Sequence, residues 1–386
     1  MLNKPRHLSL TCGLLLSHLA MVGAAGAQQP VRHAAVVPEI YFGVIEPPVV
    51  AQSDITVRAP TSNQQLDEKP LECSGLAWVD GNLLISSDRH NHLVFTCPVD
   101  LDNMTIGDLT PHIVIRNEQE LLEDAESITV RRDDNARLFV YMMCSLSNDP
   151  TELPLPKRRH MLRFRLRNVE TFRPARQVVL KADTIRESIN SHFSHAGIEP
   201  YRTFCATFSG PDKNTYRWGN IEGMCYTPDS SALLLGMRNP LCGPQALMAV
   251  VQGSDHAFRG NDPDRMSVVD MFTLNLGRRG ISDLCWDPLT RGYLIAAARS
   301  NGPKLNKDQP FPPNTLDSAL FWWSGRKAEE PVLFAKLPDL KIEAVCRLGP
   351  SGYIAVGSDE ADLSEGRIWQ QQSTLTILYF TGVELK

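Results

Sequence analysis

Glu126, Glu222 and Glu343 hold one place in a short pattern that recurs along this 386-residue sequence. The copies read Ser74-Gly-Leu-Ala-Trp78, Glu126-Ser-Ile-Thr-Val130, Glu222-Gly-Met-Cys-Tyr226, Ser282-Asp-Leu-Cys-Trp286 and Glu343-Ala-Val-Cys-Arg347. A polar turn follows each, then a second apolar run, and four of these runs lead into Asp88-Arg89, Arg238, Arg299 and Asp359. In an antiparallel hairpin the first residue of one strand lies beside the last residue of the next, so these charges share one edge. Carboxylates gathered there without equal positive charge raise one another's pKa unless a cation sits among them. A hard ion such as calcium suits oxygen ligands of this kind, and the candidate set is Asp88, Glu126, Glu222, Asp283, Glu343 and Asp359. Arg89, Arg238 and Arg299 suit a phosphate or carboxylate group, which a guanidinium grips with two parallel hydrogen bonds. His90 follows Arg89 and is a candidate for substrate binding or proton donation, or else part of a solvated hairpin turn. The competing reading has Glu and Arg of neighbouring repeats forming ion pairs that close the opening.

The elements that must position these charges are hairpins, because short apolar runs alternate with Gly, Pro, Asn and Asp turns. Two further strand candidates follow in most repeats, including His92–Cys97 and His112–Arg116 in the first and Ala319–Ser324 and Val332–Leu337 in the fourth. Four strands in a repeat of roughly 50 to 60 residues make a propeller blade. The fold expected is therefore an all-β propeller of four-stranded blades, with five blades counted and six still open. The longer interval before Glu222 holds a helical insertion over Thr184–Phe193. The last repeat lacks an outer strand, which the amino-terminal region supplies, for example through Ile55–Arg58. An array of β-sandwiches is the structural alternative, because hairpins alone do not demand a ring.

Residues 1–27 read as a secretory signal: Lys4 and Arg6, an apolar stretch from Leu8 to Ala20, and Ala25-Gly26-Ala27 as the cleavage site. Residues 28–70 form an extension and 71–386 the propeller. The expectation is an exported protein, periplasmic or extracellular, with no membrane insertion. Removing Lys4 and Arg6 from 39 basic residues leaves 37 against 44 acidic ones, which argues against a nucleic-acid partner. Of nine cysteines, Cys12 leaves with the signal. Cys225, Cys285 and Cys346 recur where a small buried residue is wanted and read as core packing. The pairing of the others stays open. No Gly-x-Ser-x-Gly elbow, Walker loop or His-Glu-x-x-His helix occurs, so serine hydrolase, nucleotide-binding and zinc protease chemistry lack their residues.

The repeats resemble the phytase-like, or "esterase-like activity of phytase", family of exported bacterial propellers, over roughly Cys73 to Phe380. The likeness rests on Ser74-Gly-Leu with Ser87-Asp88-Arg89, Asp124-Ala-Glu126, Asn220-Ile-Glu222-Gly223 with Asn239-Pro240-Leu241, Ile281-Ser282-Asp283-Leu284, Ile342-Glu343 with Ser358-Asp359, and the closing Thr374–Phe380 strand. It implies calcium-assisted hydrolysis of a phosphoester at the channel mouth, with a small anionic or phosphorylated ligand as substrate. Arg238 and Arg299 stand where family members often carry glutamate, Cys144-Ser145 also lacks it, and Lys341 replaces an asparagine. The Gly236–Leu241 segment is closer to a related bacterial group of unassigned function. Glu126, Glu222 and Glu343 are the catalytic candidates. Two other functions remain open: a non-catalytic propeller binding a ligand or protein, and a calcium-dependent lactonase-type hydrolase.

Overall fold

The computed structural model describes residues 49–56, 71–90, 92–117, 122–147, 155–195, 220–239, 241–242, 245–299, 318–338, 340–358 and 372–383. Their strands form five antiparallel sheets, each built on one of the repeats. The first strands of the blades are Cys73–Val79, Ala125–Arg132, Asn220–Tyr226, Arg279–Asp287 and Ile342–Arg347. Each touches the first strand of the next blade, and the fifth touches the first. That closed ring makes the molecule a five-bladed propeller and rules out the sandwich array.

Both faces of each blade are buried, which explains why the strands read as continuous apolar runs rather than alternating ones. Leu83 and Ile85 pack towards the fifth blade, while Leu84 between them packs towards the second. Leu233 and Leu235 likewise face the second blade and Leu234 the fourth. Every interface between neighbouring blades has its own apolar cluster, so the ring holds together by burial between blades rather than by one central core.

The fifth blade is completed from the other end of the sequence. Val49–Thr56 pairs with Gln372–Tyr379 as its outermost strand, with Ile55 opposite Ser373. The closing strand thus begins earlier than the expected Ile55–Arg58, whose last two residues lie outside the described ones. This pairing covers a strand edge that would otherwise be open. The inserted helix runs Asp183–His195, slightly longer than Thr184–Phe193, and buries Ile185 and Ile189, one turn apart, against the second and third blades. A second short helix, Ser254–Gly260, joins the last two strands of the third blade and buries Ala257 and Phe258. Its polar residues outnumber its apolar ones, so no helical stripe marks it in the sequence.

One irregularity repeats in all five blades. The pairing of first and second strands skips one residue near the strand start: Ser74, Glu126, Glu222, Ser282 and Glu343. A β-bulge of this type leaves the extra residue unpaired and re-aims its side chain. The polar start of every repeat is therefore the bulged residue.

Candidate functional site

The bulges gather at one mouth of the channel, around a cavity of about 180 Å³ lined by Glu72, Ser74, Asp88, Glu126, Glu222 and Glu343, with Asn220, Arg238, Asn239 and Lys341. Strand periodicity accounts for a second layer of residues. Glu72, Asp124, Asn220, Gly280 and Lys341 each stand two positions before a bulged residue and so near the same edge. Glu72 and Asp124 both adopt a left-handed backbone, with φ of 42° and 63°. For non-glycine residues that conformation is uncommon, and it concentrates at functional sites.

The carboxylates fall into two groups. On one side Asp88, Asp124 and Glu126 each offer an oxygen, and these atoms lie within 4.8 Å of one another. Ser145 and Ser147 hydroxyls donate to Asp124, and Arg158 lies 3.0 Å from it. Asp88 Oδ1 is buried without a hydrogen-bond partner, with Arg89 Nε 3.9 Å away. No basic side chain among the described residues pairs with Glu126. On the other side Glu222 and Glu343 both accept from Arg238 Nη1, at 2.6 and 2.5 Å, and all three residues are buried. Asn220 donates to the second Glu222 oxygen at 2.7 Å, and Lys341 lies 3.6 Å from Glu343. The ion-pair reading thus describes the second group, while the first has the donor set of a hard-cation site: oxygen only, and one buried oxygen unsatisfied.

Burial and mutual repulsion keep protons at this mouth. Asp88 is pushed well above the usual carboxylate range by burial and then by Glu72 beside it. Glu126 is raised likewise by burial and then by Asp124, Glu222, Asp88 and Glu343. Burial pushes Glu222 up to about 8 against the pull of Arg238. A cation entering the first group would displace such protons, which couples ion binding to pH.

Other sequence candidates sit differently. Arg89 is half exposed and its Nε pairs with Glu72 at 2.5 Å, so it does not line the cavity. His90 is buried, edge-on to Phe95 with ring centroids 5.4 Å apart, instead of at the opening. Asp283 is almost wholly buried and accepts the backbone N–H groups of Leu284 at 2.8 Å and of Val345 in the next blade at 2.9 Å. It fastens two blades together and is no ligand at this mouth. Asp359 and the Arg299 side chain lie outside the described residues. Glu72 was overlooked, although its place two residues before a repeat start was the available signal. No disulfide joins two cysteines among the described residues, and Cys225 and Cys346 are buried in blade interfaces.

No family model matches the chain. No curated protein matches it in sequence. Among solved structures it is similar to an exo-β-1,3-galactanase from Phanerochaete chrysosporium, at 8% identity and TM-score 0.41, over 84% of this chain and 64% of that one. An α-L-arabinofuranosidase from Clostridium thermocellum gives 10% identity and TM-score 0.39, over 76% and 84% of the two chains. A PQQ-bound aldose sugar dehydrogenase from Streptomyces coelicolor gives 13% and 0.35, over 86% and 99%. Likeness at this level concerns propeller architecture alone.

Proposed function

We propose that this propeller is an exported, calcium-dependent hydrolase of small phosphoesters, of the phytase-like kind, working at its acidic mouth. The observation that carries the reading is the trio Asp88, Asp124 and Glu126, whose carboxylate oxygens lie within 4.8 Å of one another beside an unsatisfied buried oxygen. These three residues would hold the cation. When bound, the ion supplies a Lewis acid that polarises the phosphoryl group and lowers the pKa of a water.

The chain's own residues do the rest. Lys341 and the Asn239 amide line the same cavity and supply donors for phosphoryl oxygens. Arg238 is held by Glu222 and Glu343 and Arg89 by Glu72, and Lys341 stands 3.6 Å from Glu343, so an entering anion would compete with Glu343 for the Lys341 ammonium. Glu222, with its carboxyl near 8, is placed to give up or take a proton close to neutral pH. A cavity of about 180 Å³ is below the roughly 300 Å³ at which whole-ligand pockets begin, so one phosphoryl group enters and the remainder of the substrate stays outside.

Purified protein is to be assayed against phytate and aryl phosphates with calcium or with chelator. Calcium-dependent phosphate release, lost in Glu126→Gln, is the expected result. No release, together with a melting temperature that chelator leaves unaltered, would remove the hydrolase reading.

A further inference from the structure

Among the described residues four blades bring carboxylates to the acidic mouth and one does not. The fourth blade has Ser282 at its bulge and Gly280 two residues before it. A Cβ at Gly280 would fall 2.2 Å from the backbone oxygen of Arg238 and 2.6 Å from its Cα. Only glycine lets the end of the third blade's second strand lie so close to the fourth blade. From that position Arg238 Nη1 meets Glu222 of the third blade and Glu343 of the fifth.

Two carboxylates from different blades converging on one nitrogen is the arrangement a bridging cation would have. Asn220 adds a further oxygen: its Oδ1 is buried at the mouth without a hydrogen-bond partner, while its amide nitrogen is occupied by Glu222. The charges agree. Among the described residues Glu222 and Glu343 face Arg238 and Lys341, whereas the three carboxylates Asp88, Asp124 and Glu126 have two bases beside them, Arg158 at 3.0 Å from Asp124 and the half-exposed Arg89 at 3.9 Å from Asp88.

We infer that Arg238 is a built-in cation in the position of a second divalent ion, so that the mouth takes one ion and its removal creates a site for another, formed by Glu222, Glu343 and Asn220. This rests on the reading of Asp88, Asp124 and Glu126 as ligands of the first ion.

Calorimetric titration of the full chain with calcium chloride tests it. One ion is expected for the wild type, two for Arg238→Met, and one again for Arg238→Met combined with Glu343→Gln. A folded Arg238→Met protein that still binds one ion with unchanged affinity overturns the inference. Should the wild type bind none and Arg238→Met one, the trio is not a site but Arg238 keeps its role; none in either protein overturns both. If Arg238→Met does not fold, Glu343→Gln decides. With Arg238 as the resident cation it binds one ion at an affinity within about threefold of wild type, whereas a drop of about tenfold or more makes Glu343 a ligand and overturns the inference.

Discussion

The two mouths of the channel are built from the two ends of the same five strands, yet they handle charge in opposite ways. At the bulged ends, carboxylates outnumber bases around about 180 Å³. At the regular ends a larger cavity of about 400 Å³ is lined by Trp78, Ile128, Val130, Tyr226 and Trp286, with Cys225, Cys285 and Cys346 deeper in. Charges there come in settled pairs. Arg347 holds Asp287 with two hydrogen bonds, of 2.9 and 2.6 Å, lies over the Phe380 ring, and donates to the Phe380 carbonyl. Arg131 pairs with Asp255, and Arg132 with Asp80. Where the ladder is regular, side chains alternate into the blade interfaces and each charge finds its own partner. Where it bulges, a polar residue is expelled into the channel and meets its counterparts from other blades.

The far mouth should hold most of the fold's sensitivity. Arg347→Met leaves Asp287 buried and unpaired, and urea unfolding should show a loss of about 3–5 kcal/mol. A loss well below that would mean that the pair is not the clamp its geometry indicates.

At the acidic mouth the larger effects should appear in ion binding instead. Ser145→Ala removes a hydrogen bond that orients Asp124, and calcium affinity measured by calorimetry should fall about 10- to 100-fold with little change in melting temperature. Equal affinity in the two proteins would take Asp124 out of the ion's shell.

The pH response sharpens the contrast further. Without ion, Glu222 is protonated in the folded protein up to about 8 but only up to about 4.5 when unfolded. The folded state then binds more protons over that interval, so its stability falls as pH rises from about 4.5 to about 8. Melting temperatures in chelator should decline across this range, less so in Glu222→Gln, and calcium should offset the decline because it binds the ionised carboxylates. A rising profile in chelator would show the acidic mouth to be as well satisfied as the other.

The smallest effect is expected at the far mouth's thiols. Burial pushes Cys225 up to about 12 and raises Cys285 and Cys346 as well, so peptide mass spectrometry after alkylation near pH 8 should find all three unlabelled until the protein unfolds. Rapid labelling of the native protein would mean that this mouth opens more readily than its packing indicates.

Much of this could be read from residue order. Five copies of one pattern give a count of five blades, with six left open until the ring is seen to close, and the buried thiols follow from the small residue at the pattern's fourth place. Glu126, Glu222 and Glu343 stand out because a carboxylate at a strand start is a poor core residue and a good channel residue. Asp124 is legible only through the family likeness and Glu72 only through its place two residues before a repeat start, and the left-handed backbone of both is decided by the folded chain. Arg238 looked like an anion clamp on its own. Its two partners, 16 and 105 residues away, make it a counter-ion instead.

The local half of this protein is legible in residue order: strand, turn, strand, repeated, with a polar residue at every strand start. Those features depend on neighbours along the chain, where periodicity and turn chemistry act. Ring closure decided which charges neutralise each other and which are left for a ligand. Coulomb energy depends on distances between blades that are far apart in sequence, and only the closed ring sets those distances.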